Sequence, residues 1–245
     1  MTPEALVAEL AAVDLSEVQA RAALERRYDR KYILDRNALA GFVAALTETH
    51  AVLEIDGNRS FRYVTEYFDS SELSCYRAHV QHRRRRFKAR IREYADSGYR
   101  RAEVKLKGRR GLTVKYWTDQ EASVETFARQ TVAREYRQEV GALMRTMRVC
   151  FRRITLVSRE DAERITIDYD LRFEWDPRRQ AGLEPEYAIV ETKSTARFGR
   201  GDLVLRELGL HPLRFSKYVT GVGLLSNHVP NELRPVVRRH FHSAA

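Results

Sequence analysis

The sequence predicts an α+β fold: a barrel of about eight antiparallel strands, with helices at both ends and one inserted helix. Three observations support this prediction. Segments in which polar and apolar residues alternate recur along the chain and are separated by stretches of helical periodicity. Apolar residues make up 43% of the 245 residues, which is enough for a sizeable core. The sequence has no internal repeat and no glycine- and serine-rich linker, so one large domain is expected.

The first part of the chain combines helices with the first strands of the barrel. Residues 3–24 have helical periodicity and predict an N-terminal helical segment. A strand is predicted over 28–34, and Asp35 is suited to cap a helix that ends near residue 47. The other elements predicted here are a strand over 59–69, a short helix over 70–80 and a strand over 85–94.

The second part begins with a hairpin over 102–117 and continues with a long helix over 119–147. Apolar side chains up to Val140 and Met144 recur at helical intervals and indicate this length. Three strands follow over 151–158, 164–175 and 186–195, with a turn at 176–182. From about residue 201 the chain is expected to be helical, with breaks at Pro212, Pro230 and Pro235.

Charge and cysteine content limit the possible partners and compartments. Lysine and arginine outnumber aspartate and glutamate by 44 to 34, which gives a net charge of +10 and a pI near 9.8. The expected partner is therefore anionic: nucleic acid, a phosphorylated metabolite or an acidic membrane surface. Cys75 and Cys150 lie far apart and predict no disulfide framework, which fits a reducing cytosol. The N-terminus does not resemble a signal peptide, and no segment approaches the roughly 20 apolar residues of a membrane helix, so a cytoplasmic protein is expected.

Cations occupy alternate positions on several predicted strands. In RRFKARIRE (85–93), Lys88, Arg90 and Arg92 alternate with apolar residues, and a strand places these two sets on opposite faces. The predicted hairpin and two later strands repeat the arrangement. For a single strand, a polar face in contact with water is the ordinary explanation. Several cationic strands together favour a lining that binds phosphate, because guanidinium groups offer paired donors.

Nucleic acid is not the expected partner. The run HRRRRFK (82–88) is strongly basic, but consecutive arginines more often mark a solvated turn. The sequence lacks helix-turn-helix, zinc-finger, RNP-type and KH-type signatures. It also lacks a P-loop, a G-x-G-x-x-G motif and a G-x-S-x-G motif.

Seven motifs, taken in order, resemble a known family. They are RYDRKYIL, EYFDSSELSCYRAH, RRFKARIREY, EVKLKGRRGLTVK, RITIDYDLRF, IVETKS and RFSKYVTG. The family is the VTC domain, the catalytic polyphosphate polymerase domain of vacuolar transporter chaperone complexes, and it belongs to the triphosphate tunnel metalloenzyme (CYTH-like) superfamily. The division that we predict is an N-terminal helical appendage over residues 1–25 and a VTC-like triphosphate tunnel domain over residues 26–245.

The resemblance implies an eight-stranded antiparallel tunnel whose basic lining holds a triphosphate. The residues that match the family's phosphate-binding positions are Lys31, Arg90, Arg92, Lys105, Lys115, Arg153, Arg164, Ser216 and Lys217. Glu191 matches the glutamate that holds a metal ion, Mn²⁺ or Mg²⁺. By the same resemblance, Lys31, Lys105, Lys217 and Glu191 are the expected catalytic residues.

The function that the resemblance implies is a metal-dependent phosphotransferase acting inside a basic tunnel. It would move the terminal phosphoryl group of ATP onto phosphate or polyphosphate, and no protein partner is identified. Two alternatives stay open: a metal-dependent (tri)polyphosphatase or organic triphosphatase, and a module that binds polyphosphate or nucleotide without turnover. Hydrolytic members of the superfamily carry E-x-E-x-K where this chain has RYDRK (27–31), and E-x-E where it has Glu191-Thr192-Lys193. Fewer carboxylates mean fewer metal ligands and less activation of water, which favours transfer over hydrolysis.

Overall fold

The computed structural model describes residues 1–21, 27–107, 113–119, 123–226 and 238–244. Its helices are α1 (Pro3–Leu6), α2 (Leu15–Arg21), α3 (Arg36–Ala44), α4 (Ser74–Val80), α5 (Val124–Tyr136), α6 (Arg200–Glu207) and α7 (Lys217–Leu225). Its strands are β1 (Ala12–Val13), β2 (Tyr28–Asp35), β3 (His50–Leu53), β4 (Phe61–Asp69), β5 (Phe87–Tyr94), β6 (Tyr99–Lys107), β7 (Thr113–Asp119), β8 (Met144–Ser158), β9 (Glu163–Asp176), β10 (Arg179–Leu183), β11 (Tyr187–Ser194) and β12 (Phe241–Ala244).

The chain forms two compact units, each made of three segments. The first unit comprises Met1–Phe61, Phe151–Leu171 and Leu183–Arg214. The second unit comprises Arg62–Cys150, Arg172–Gly182 and Phe215–Ala245.

The first unit is built around β11, which pairs antiparallel with β2 on one side and with β9 on the other. The helix α3 packs on β2 and β11. It starts where the sequence predicts, because the Asp35 side chain accepts a hydrogen bond from the Ala38 N–H at 2.8 Å and caps the helix. The core between helices and strands is apolar and fully buried; it includes Leu34, Phe42, Leu46, Ile165, Val190 and Leu205.

The second unit contains the antiparallel ladders that join β4, β5, β6 and β7 in that order. The helix α5 packs on β5 and β6, and its Ala128 and Val132 contribute to a core with Val104 and Leu106. The helix α7 is held by a buried carboxylate: the Tyr218 hydroxyl donates to Asp69 Oδ2 at 2.5 Å. Asp69 also accepts backbone N–H bonds from the first turn of α4, so one side chain joins β4, α4 and α7.

The predicted α+β class with an antiparallel sheet and helices is confirmed, but the strand count is wrong. The described residues form twelve strands rather than about eight. The additional strands are short; β1, for example, has two residues and pairs in parallel with β3. The segment predicted as a turn at 176–182 contains β10, which forms a tight antiparallel pair with the end of β9. Such short segments carry too few alternating residues to stand out from turns.

The predicted long helix over 119–147 is also wrong in its second half. The helix α5 ends at Tyr136, and the next residue, Arg137, has φ 51°, a left-handed conformation that stops a helix. The strand β8 then begins at Met144, earlier than the predicted strand over 151–158. Met147, Val149 and Phe151 are buried in alternation, which is the period of a strand.

Some sequence predictions fall on parts of the chain that lie outside the described residues. These are the tip of the hairpin at 108–112, the domain boundary between residues 25 and 26, and the helix breaks at Pro230 and Pro235. The division into an appendage and a tunnel domain stays a prediction. Among the described helices, none combines the length and the apolar character needed to cross a membrane.

Candidate functional site

In the first unit, charged side chains from three neighbouring strands lie on one face of the β2–β11–β9 ladder. Glu191 is directly opposite Lys31 on β2 and Thr166 on β9. Two residues further along β11, Lys193 is opposite Arg164. Directly opposed residues in a ladder point to the same face, so the strand alternation brings these charges together. Arg153, on the adjacent strand β8, contacts Asp168 of β9. We call Lys31, Arg153, Arg164, Asp168, Glu191 and Lys193 the first-unit cluster.

Two ion-pair contacts organise the centre of the first-unit cluster. The Lys31 ammonium lies 2.8 Å from Glu191 Oε1, and the Lys193 ammonium lies 3.0 Å from Glu191 Oε2. Lys193 also donates to the Thr166 hydroxyl at 3.4 Å. One carboxylate therefore holds two ammonium groups, one on each of its oxygens.

A further ion pair in this cluster, between Arg153 and Asp168, is bidentate. The guanidinium of Arg153 donates to the two oxygens of Asp168 at 2.6 and 2.8 Å. Asp168 is fully buried, so Arg153 is fixed in one orientation.

The pKa values in the first-unit cluster follow from burial and mutual attraction. Burial alone would lower the pKa of Lys31, but the Glu191 carboxylate outweighs it and the net shift is upward. Burial opposes ionisation of Glu191, yet Lys193 and Lys31 hold its pKa well below the usual range. For Lys193, burial and the nearby guanidinium groups of Arg153 and Arg164 lower the pKa to about 7, in spite of Glu191. Among Lys31, Glu191 and Lys193, it is therefore Lys193 whose charge changes near neutral pH.

In the second unit, a comparable cluster lies on the β5–β6–β7 ladder. Lys88, Lys105 and Lys115 form a row across the three strands, because each is directly opposite the next. Arg90 is opposite Glu103, and Arg92 is opposite Arg101. We call these seven residues, with Ser216 and Lys217, the second-unit cluster.

Glu103 is the central carboxylate of the second-unit cluster, and its side chain is only 1% exposed. It accepts Nε–H bonds from Arg90 at 2.7 Å and from Arg101 at 2.8 Å, and the Lys115 ammonium lies 2.6 Å away. Burial would raise the pKa of Glu103, but the charges of Arg90, Arg92 and Lys115 outweigh it and hold this pKa far below its usual range. For Lys115, burial comes first and the cations Arg90 and Arg101 add to it, so the pKa falls to about 7 although Glu103 opposes the shift.

The N-terminus of α7 joins this cluster through Lys88. The Lys88 ammonium donates to Ser216 Oγ at 2.7 Å, and Ser216 is the N-cap of α7. Lys217 is the first residue of the helix. His79, on α4, stays neutral near this region, because burial and the charges of Lys88 and Arg86 lower its pKa to about 3.

The structure places the residues singled out from sequence in these two clusters. Lys31, Arg153, Arg164 and Glu191 belong to the first unit, and the other six belong to the second. Their phosphate-binding and catalytic roles stay predictions. Sequence reasoning assigned no role to Lys88, Arg101 or Lys193, although alternation put Lys88 and Lys193 on the polar faces of their strands. The structure adds them through contacts that depend on strand register.

The profile of the VTC domain family matches residues 26–226. The chain belongs to this family. The family and the fold class predicted from sequence are therefore confirmed. Among curated proteins, none matches this VTC domain significantly.

Three solved structures are similar to this VTC domain at low sequence identity. A Hippeastrum protein, described as an adenylyl cyclase candidate with a dominant triphosphatase activity, has a TM-score of 0.48 and 14% identity over 85% of this chain and 100% of its own. A provisionally assigned adenylate cyclase from Vibrio parahaemolyticus has a TM-score of 0.46 and 13% identity over 79% of this chain and 97% of its own. A similar assignment from Bacillus halodurans has a TM-score of 0.43 and 12% identity over 87% and 97%. Likeness at this level carries no argument about the reaction of this VTC domain.

The metal ion predicted at Glu191 can be tested against the donors that surround it. Within the described ranges, no three His, Cys, Asp or Glu side chains are grouped so that together they could hold a metal ion. Both oxygens of Glu191 contact ammonium groups, and both oxygens of Asp168 contact Arg153. Mn²⁺ and Mg²⁺ require several oxygen ligands, so these donors do not fit an ion held by the protein alone. Either ion would reach these residues only as the counter-ion of a nucleotide substrate.

Proposed function

We propose that this VTC domain is a phosphotransferase that moves the terminal phosphoryl group of ATP onto phosphate or a growing polyphosphate chain. The proposal rests on one observation: the charged faces of neighbouring strands are largely buried. A merely solvated polar face would leave its charges in water, whereas Lys193 is 7% exposed, Arg92 is 9% exposed and Glu103 is 1% exposed. Family membership over residues 26–226 supports the same substrate class. The cytoplasmic location stays a prediction.

The proposed reaction needs positioning and charge neutralisation more than acid–base chemistry. An oxygen of the acceptor phosphate attacks the terminal phosphorus of ATP and forms the new P–O bond. The bond from that phosphorus to the bridging oxygen breaks, and ADP leaves with the electron pair. Within the first unit, lysine and arginine groups fixed by Glu191 and Asp168 are suited to hold the transferred group and its charge. The acceptor is already anionic, so no general base is assigned.

The ion pairs also support transfer over hydrolysis. The two side chains that contact Glu191 are Lys31 on β2 and Lys193 on β11. Both carry ammonium groups, where a metal site would need further carboxylates. Activation of water by a metal ion would require additional acidic ligands there. A phosphate acceptor, by contrast, is attracted by the same ammonium groups.

The experiment that tests this function is a product analysis with ATP labelled at the terminal phosphate, in the presence of Mn²⁺ or Mg²⁺. We expect one ADP for each labelled phosphoryl group that is incorporated into polymer, with little free orthophosphate. Digestion of the polymer by an exopolyphosphatase identifies the product. Release of orthophosphate alone would instead support a hydrolase. Tight binding of tripolyphosphate without either product, across several metal ions, would support a non-catalytic binding module.

Binding of tripolyphosphate is expected to take up a proton at Lys115. Its pKa of about 7 means that the amine is largely neutral at pH 8, and a bound phosphate favours the charged form. Affinity should therefore fall as pH rises through 7. Titration calorimetry at pH 7.5 in two buffers of different ionisation enthalpy measures the protons taken up.

The matched control for this measurement is Lys115→Arg, whose guanidinium is charged at every pH used. The proton uptake of this variant should be smaller than that of the wild type, while the protonation of the ligand itself cancels in the comparison. Equal proton uptake by both proteins would contradict a role for Lys115 in binding.

A further inference from the structure

Asp202, near the start of α6, lies behind the first-unit cluster and is almost completely buried, with 3% exposure. Its carboxylate accepts hydrogen bonds from Arg30 at 2.8 Å, from the Tyr32 hydroxyl at 3.0 Å and from the Thr192 hydroxyl at 2.6 Å. Arg30 and Tyr32 belong to β2, and Thr192 belongs to β11. One carboxylate of a helix therefore joins two neighbouring strands.

The three side-chain donors are sequence neighbours of the charged residues on the opposite face, whereas the fourth donor, the Gly199 N–H at 3.3 Å, lies at the start of α6. Arg30 and Tyr32 flank Lys31, and Thr192 lies between Glu191 and Lys193. The ladder pairs Thr192 with Arg30 and Glu191 with Lys31. Side chains alternate between the two faces of a strand. Asp202 therefore contacts β2 and β11 on one face of the sheet, and Lys31, Glu191 and Lys193 project from the same stretches of backbone on the opposite face.

The position of Asp202 is itself fixed by tight packing at the start of α6. Two glycines make this possible: the Gly201 N–H donates to both oxygens of buried Glu163, at 3.1 and 3.2 Å. A Cβ at Gly199 would overlap the Glu163 carboxylate, and one at Gly201 would come within 2.6 Å of Ile165 Cδ1. The helix start therefore lies directly against β9 and cannot shift without expelling a side chain.

Arg30 is held on its remaining sides as well. Its guanidinium lies over the Phe198 ring at 4.5 Å and over the Tyr28 ring at 5.5 Å. The ion pair with Asp202 is thus enclosed by aromatic rings, where a charge–charge contact is stronger than in water.

We propose that Asp202 is a positioning residue of the phosphate site. It keeps β2 and β11 in the register and spacing at which Lys31 on β2 reaches Glu191 on β11. This inference rests on the proposed function, because it takes the first-unit cluster to be a phosphate-binding site. Asp202 acts through the side chains of Arg30, Tyr32 and Thr192, which fix the strands that carry them, and it does not contact the substrate.

A double-mutant cycle tests the proposal. The variants are Asp202→Asn, Lys31→Met and their combination, and the measurement is tripolyphosphate affinity by calorimetry in EDTA, at a temperature where every variant is folded. We expect Asp202→Asn to weaken binding about 10-fold, and much less in the Lys31→Met background, because residues that act through one another are not additive. Thr192→Val, which removes only one hydroxyl contact, should show the same coupling with a smaller effect and serves if Asp202→Asn does not fold.

The matched control is Val204→Ala, which weakens the packing of α6 through an apolar residue with 2% exposure. This variant should lower the stability of the protein without changing its affinity for tripolyphosphate. If it does change the affinity, the fold-change should be the same in the wild type and in the Lys31→Met background, as expected of independent substitutions. If Asp202→Asn leaves affinity unchanged, or if its effect multiplies fully with Lys31→Met, Asp202 is only a structural anchor and the proposal is overturned. If the wild type itself does not bind tripolyphosphate, the proposed function fails and this inference fails with it.

Discussion

Replacement of Glu103 by Gln is expected to lower the free energy of unfolding of the ligand-free protein by about 3 kcal/mol, because removal of one partner of a buried ion pair leaves the others without compensation. Glutamine keeps the shape of the side chain but not its charge. Arg90, Arg101 and Lys115 would then face one another across a buried site without the carboxylate that they contact at 2.5–2.8 Å. Urea denaturation monitored by circular dichroism measures the loss.

Two features distinguish this effect from a general packing defect. Saturating tripolyphosphate should recover much of the lost stability by mass action, since its charge replaces that of the carboxylate. The pH dependence has a defined sign: Glu103 has a lowered pKa in the folded state, so its contribution is complete above the unfolded pKa of 4.5 and declines as pH falls below it. The difference between wild type and variant should therefore narrow in acid.

Glu93→Gln is the matched control for this prediction. Glu93 lies on the neighbouring strand β5, its side chain is 33% exposed, and its ion pair with Arg100 is long at 3.5 Å. Its replacement should change stability by less than about 0.5 kcal/mol. Equal denaturation midpoints for Glu103→Gln and the wild type would show that Glu103 does not compensate the cations.

Replacement of Lys31 by Met is expected to reduce kcat/KM for ADP formation by ~10²–10³, by analogy with the loss of one charged donor from a transition-state site. Methionine has nearly the same length but no charge. Glu191 would keep Lys193 at 3.0 Å, so the unit should stay folded while its cluster becomes less positive. The rate of ADP release at low ATP concentration measures the effect, and thermal unfolding checks the fold.

Arg36→Met provides the control for Lys31→Met. Arg36 is exposed at the first position of α3 in the same unit, so the substitution changes net charge equally without touching the cluster. Its kcat/KM should stay within about twofold of the wild type, since surface charges act weakly at a distance in physiological salt. Similar losses in both variants would mean that net charge alone, and not the site, sets the rate.

Much of the fold could be predicted from alternation and helix capping, but partners across strands could not. Alternation places Lys88, Arg90 and Arg92 on one face of β5. It does not specify that Arg90 stands opposite Glu103, because that depends on the register of β5 against β6. The number of cations around Glu103 therefore becomes visible only in the structure.

The strand FRRITL shows the same limit at a single position. Its two adjacent arginines are equivalent in sequence, yet they point to opposite faces of β8. Arg153 pairs with Asp168, whereas Arg152 donates to the hydroxyls of Tyr169 and Ser60 at 3.2 Å. Asp202 was not predicted at all, because two of its donors, Arg30 and Tyr32, lie 172 and 170 residues away from it in sequence. Contacts of such long separation leave no local periodicity.

The two central carboxylates affect how strongly small anions in the surrounding solution compete for the cations of the clusters. Glu103 and Glu191 occupy, in the ligand-free molecule, the places where cations would otherwise attract any small anion. A monovalent ion such as chloride offers one charge and cannot contact several of these cations at once. A chain of phosphates offers many charges held together covalently, so each contact makes the next one more favourable. Under the proposed function, the internal acids would set a threshold of charge that abundant simple anions do not reach and that a polyphosphate exceeds.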